Sequence, residues 1–72
     1  MNKYIVPICD GYKVFIKVIS AKSHTACQEK IIEFLVDMYD IEDNTTNYRE
    51  FVNFVDSEYD ILIGEIKDIE EI

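Results

Sequence analysis

His24 and Cys27 stand three residues apart at a predicted helix start, and a second thiol lies at Cys9. A thiolate near a helix N-terminus, beside an imidazole, is the arrangement that activates a nucleophilic cysteine. The same three groups could contribute to a metal site. Tetrahedral zinc takes four ligands, however, and commonly a Cys-x-x-Cys pair, which this chain lacks. Cys27 falls on the apolar face of its predicted helix and is read as a small core side chain. Asp37, Asp40, Glu42 and Asp43 could gather oxygen ligands for calcium or magnesium. They do not follow the alternating spacing of an EF-hand loop and have no turn glycine among them. The chain carries no glycine-rich phosphate loop, Ser-His-Asp motif or His-Glu-x-x-His motif. It is expected not to be an enzyme and to use no cofactor or metal.

The elements that position these groups must fit into 72 residues, one small domain spanning 1–72. A chain of this size buries only about 60% of the surface its unfolded form exposes. Tyr4 to Cys9 and Tyr12 to Ile19 read as a β-hairpin, with Asp10-Gly11 as a two-residue turn. That turn would pair Cys9 with Tyr12, Pro7 with Val14 and Ile5 with Ile16. Ile5, Pro7, Cys9, Tyr12, Val14, Ile16 and Val18 are then expected to face the core. The opposite face would carry Tyr4, Val6, Ile8 and Phe15 beside Lys13 and Lys17, an apolar patch on which two copies could meet as a homodimer. Pro7 cannot donate to a ladder, which argues that the first strand is an edge.

Ser23 is the expected N-cap, with Thr25 and Gln28 a capping-box alternative, of a helix from about His24 to Tyr39 that carries Cys27, Ile31, Phe34, Leu35 and Met38 at helical spacing on one face. A second helix is expected from about Asn47 to Ser57, with Asn47 and Glu50 in capping-box spacing and Tyr48, Phe51, Val52 and Val55 as its apolar stripe. Tyr59 to Ile66 reads as a third strand with a bulge at Gly64; the sequence does not decide the form of residues 67–72. The expected fold is α+β, ββααβ: a three-stranded antiparallel sheet in the order 1-2-3, with both helices on one face.

Charge is the strongest functional clue. Residues 1–36 hold five Lys against Asp10, Glu29 and Glu33, whereas residues 37–72 hold twelve acids against Arg49 and Lys67. The chain as a whole carries −8. Such a field repels nucleic acid and anionic membranes and attracts basic protein surfaces. Glu29, Glu33 and Asp37 repel one another at i,i+4 spacing, and Asp37 and Asp40 sit at the negative end of a helix dipole. Local rules broken without compensation point to function. The expected partner-binding residues are Glu29, Glu33, Asp37, Asp40, Glu42, Asp43, Asp56, Glu58 and Asp60. Direct nucleic-acid binding and membrane insertion are not expected.

Twelve Ile, six Lys and five Tyr against two Gly, two Ala, one Arg and one Pro suggest an AT-rich genome, such as that of a low-GC bacterium or its phages. Two cysteines cannot make a disulfide scaffold, so a reducing bacterial cytoplasm is expected. In size, acidity and lack of motifs the chain resembles the phage-encoded anti-CRISPR and other anti-defence inhibitors. The resemblance implies a non-enzymatic inhibitor that mimics nucleic acid and fills a basic cleft of a defence nuclease. A small structural or regulatory interaction module, dimeric through the hairpin, is the alternative.

Overall fold

The computed structural model describes residues 1–71. Its elements are β1 (Asn2–Cys9), β2 (Val14–Ala21), α1 (His24–Tyr39), α2 (Tyr48–Tyr59), β3 (Leu62–Ile63) and β4 (Lys67–Asp68), followed by a 3-10 turn over Ile69–Glu71. The fold is α+β, with an antiparallel sheet and two helices, as expected.

The helices begin where the capping residues place them. Ser23 Oγ accepts from the Ala26 N–H at 3.1 Å, and Asn47 Oδ1 accepts from the Glu50 N–H at 2.9 Å. Glu50 reaches back to the Thr46 N–H at 3.1 Å, one residue before the cap. Cys27, Ile31 and Leu35 of α1 and Phe51 and Val55 of α2 are fully buried against one face of the sheet. Phe34 is half-buried and Met38 is exposed, because the core stripe of α1 drifts away from them. No helix among the described residues is long and apolar enough to cross a membrane.

The sheet departs from expectation in two ways. Its order is β2-β1-β3 with β4 also on β1, so β1 is central rather than an edge. Pro7 is tolerated there because of where its missing N–H would point. The Pro7 carbonyl accepts from the Gly64 N–H at 2.8 Å on the β3 side. On that side the ladder is broken: Ile8 pairs Ile63 and Ile5 pairs Lys67, so Val6 and Pro7 oppose three residues, Gly64 to Ile66. This is the bulge expected at Gly64, and it removes the need for the donor that proline lacks. Of the expected third strand, Tyr59 to Ile66, only Leu62–Ile63 is strand: Tyr59 still belongs to α2 and the bulge takes Gly64 to Ile66, while β4 falls in the segment the sequence left undecided.

The second departure is the polarity of the hairpin. Cys9 pairs with Val14 and Pro7 with Ile16, two residues out of the expected register. The tip is Gly11-Tyr12, not Asp10-Gly11. Gly11 has φ 91° and Asp10 caps the turn from outside it. Tyr4, Val6 and Ile8 are in the core, with Ile19 and Ala21, and Phe15 is half-buried on the same side. The patch proposed for a homodimer is therefore the inner face and is not available to a second copy. The strands are apolar on both faces, and Lys13 and Lys17 made the inner one look solvated. Both side chains instead lie over aromatic rings. Lys17 Nζ is 4.4 Å from the Phe34 ring centroid and Lys13 Nζ is 5.8 Å from that of Phe15. Lysine stems cover apolar surface while the charge stays in water.

The outer face is bare. Val14, Ile16, Val18 and Leu62 are 71, 63, 54 and 54% exposed. Register puts them beside Ile5, Pro7 and Cys9 on that face.

Candidate functional site

The two helices run in the same direction, so both C-termini arrive at the hairpin-turn end of the molecule. Tyr39, the last residue of α1, donates from its hydroxyl to Asp10 Oδ2 at 2.9 Å. Asp60, just past α2, packs its carboxylate against Gly11 at the turn. Both helices end in the same three residues, Tyr39-Asp40-Ile41 and Tyr59-Asp60-Ile61. In each case the aspartate is left-handed, with φ 53° at Asp40 and 57° at Asp60, and the isoleucine after it is buried. The Ile41 N–H then bonds back to the Val36 carbonyl and the Ile61 N–H to that of Val55, at 3.1 and 3.0 Å. Glycine or asparagine usually fills this position. Here an acid does so twice, at the negative end of a helix dipole.

Asp10 is the third carboxylate of this end. Its Oδ1 accepts from the Tyr12 and Lys13 N–H groups at 3.1 and 3.0 Å. These bonds, that from Lys13 foremost, hold its pKa below the usual carboxylate value. Burial, and then the bond to Asp10, push the Tyr39 hydroxyl the other way. Asp10 therefore keeps its negative charge.

Of the nine acids expected to bind a partner, Asp37, Asp40, Asp56, Glu58 and Asp60 lie in or just past the last turns of the two helices and are exposed. Glu42 is nearby, its N–H 3.4 Å from the Tyr59 hydroxyl oxygen, with Asp43 next along the return loop. Asp43 is partly engaged locally, accepting from the Thr45 N–H at 2.9 Å. Glu33 and Glu29 recede along α1; Glu29 lies on the rim of a cleft with Thr25, Gln28 and Tyr48, about 16 Å up the helix axis from Asp40. Sequence reasoning missed Asp10, which lies in the half of the chain with net positive charge. The repeated Tyr-Asp-Ile was the signal that could have paired the two helix ends.

The thiol and imidazole do not assemble. Cys27 is fully buried and its burial pushes the thiol pKa up, opposite to an activated thiolate. His24 is exposed, edge-on to Tyr4 with ring centroids 6.1 Å apart. Cys9 is half-buried at the far end of the sheet. No group of three metal-ligating side chains occurs among the described residues. A cleft of about 390 Å³ opens between the N-terminal ends of the helices and the bulge, lined by His24, Gln28, Tyr48, Val52 and Glu65 among others. The Tyr48 hydroxyl is buried without a hydrogen-bond partner, and desolvation pushes its pKa up to about 12.

Comparison with protein-family models, curated proteins and solved structures gives no match. The functional reading therefore rests on the residues themselves.

Proposed function

We propose that the protein is a non-enzymatic inhibitor whose acidic end occupies a basic, nucleic-acid-binding cleft, in keeping with the resemblance to phage anti-defence proteins. The target class is a nuclease of the bacterial cytoplasm. The observation that carries the reading is the convergence of Asp10, Asp40 and Asp60 at one end of the molecule, two of them in left-handed caps. Acids at helix C-termini cost about 0.3–1 kcal/mol each. The caps turn Ile41 and Ile61 into the core, yet neutral glycine or asparagine would do the same without the charge penalty. A partner that presents Lys and Arg gains from the charge, because such a field steers association and is then neutralised in the complex.

The test is capture from a low-GC bacterial lysate on immobilised protein, followed by competition. A captured nuclease should release with salt, and the protein should displace duplex DNA from it. A captured nuclease that binds DNA equally well with and without the protein overturns the reading. A partner held at high salt on a surface other than the acids would favour an interaction module instead.

A further inference from the structure

We infer that the bare outer face of the sheet is a self-association surface, on which a second copy of the chain stacks face to face with its strands antiparallel. This inference does not depend on the acidic end. Antiparallel sheets exposed on one side normally alternate apolar and polar residues, whereas strands buried on both faces read as continuous apolar runs. β1 and β2 are of the second kind. Inward they bury Tyr4, Val6, Ile8 and Ile19, and outward they present Ile5, Pro7, Val14, Ile16 and Val18.

The rows of this face are set by register. Val14, Cys9 and Leu62 form the first row at the turn end, Ile16 and Pro7 the second, Val18, Ile5 and Lys67 the third, and Ser20 and Lys3 the fourth. Both charged side chains at these register positions are lysines, at the end away from the turn. The turn end carries Tyr12, 99% exposed, and adjoins Asp10 and Asp60. The face is thus apolar in the middle, basic at one end, and aromatic with acids nearby at the other.

That gradient selects the occupant and its orientation. In a two-fold stack centred on Ile16, the first row of one copy lies over the third row of the other. Tyr12 then lies over Lys3 of the second copy, and Leu62, two residues past Asp60, lies over its Lys67. The parallel stack would instead oppose lysine to lysine. The helices and the acids along them, with Asp10 bonded to Tyr39, lie on the far side of each sheet, and Asp60 against Gly11 is the acid at the turn-end edge, so two chains of charge −8 can approach here with least repulsion. β1 and β2, eight residues each at about 3.4 Å and about 4.8 Å apart, with the two two-residue pieces beyond β1, give a footprint of roughly 300 Å² in plane. That is as large as the patches a typical monomer exposes, and two of them bury an area of the weak, reversible class.

Sedimentation equilibrium on the full chain tests this. The wild type should pass from monomer to dimer at roughly micromolar to submillimolar concentration, more readily at high salt as repulsion is screened. Ile16→Glu should weaken the dimer at least about thirty-fold. Ile16 is 63% exposed, so the variant should keep its circular dichroism and melting. Val14→Lys, at a second exposed position, should act in the same direction. Isotope-filtered NOEs should connect Val14 methyls of one copy to Val18 methyls of the other. A wild type that is monomeric up to about 1 mM, a dimer unaffected by either variant, or intermolecular contacts from Val14 to Val14 would overturn the proposal.

Discussion

The Tyr39 hydroxyl and the Asp10 carboxylate, 2.9 Å apart, join the last turn of α1 to the tip of the hairpin. The bond fixes one helix end against a turn that the chain forms 29 residues earlier. Tyr39→Phe should lower the melting midpoint by a few degrees at neutral pH. The pKa of Asp10 is depressed in the fold, so its contribution is present above the ordinary carboxyl range and is lost as pH falls through the lower folded value. The difference between wild type and Tyr39→Phe should accordingly shrink in strong acid, as thermal melts at several pH values would show.

Asp40→Asn and Asp60→Asn remove a charge from each helix C-terminus while keeping a residue that tolerates the left-handed conformation. Each should stabilise the fold by about 0.3–1 kcal/mol. The pair should also slow association with a basic target and flatten its salt dependence. Chemical denaturation and a binding titration at two salt concentrations measure the two effects. A control changing Lys13 and Lys17 should leave association unaltered.

Tyr48 should set the alkaline limit of the fold. Its hydroxyl ionises near 10 in the unfolded chain and at about 12 in the fold, so the neutral form is favoured by folding. Stability is unaffected below pH 10 and falls between about 10 and 12. Tyr48→Phe removes an unsatisfied buried hydroxyl. It should be neutral or stabilising at pH 7 and should weaken the alkaline decline, read by denaturant titration across that range.

Gly64 is constrained by proline. A Cβ added there would collide with Pro7 Cγ and stand 3.3 Å from its carbonyl oxygen. Gly64→Ala should cost about 1–3 kcal/mol. Pro7→Ala removes the ring that collides, so the double variant should recover part of the loss. A double-mutant cycle with no coupling would refute the collision.

The cysteines separate packing from chemistry. Cys27→Ala should cost about 1–2 kcal/mol through lost burial. Cys9→Ser should change stability little, and both variants should retain binding. A folded Cys27→Ala protein that no longer binds would return the thiol to consideration.

The helices were legible because their signals are local. Ser23 and Asn47 cap them, and the spacing of Cys27, Ile31 and Leu35 fixes the buried face. The order and polarity of the sheet were not legible, for a physical reason. An alternating pattern assigns faces only when one face is polar, and this hairpin is apolar on both. Lys17 then pointed the wrong way, since its stem covers apolar surface and its ammonium lies over the Phe34 ring. Pro7 argued for an edge because nothing local reveals that its missing donor would meet a bulge more than fifty residues away. Most of the acidic end was legible from the charge of residues 37–72. The inclusion of Asp10 was not, because it depends on two helices ending at one turn.

The central position of β1 has a kinetic meaning. One of its sides is filled by β2 through a tight turn, a closure of a few residues that forms in microseconds. The other side waits for Leu62 to Asp68, which arrive only after both helices and the return loop have been laid down. Closing a loop of about sixty residues carries a larger entropy cost and places this pairing late. During synthesis the hairpin and α1 can therefore assemble with one flank of β1 unpaired. That flank closes when the last strands emerge, and until then it is the part of the chain most open to pairing with a stranger.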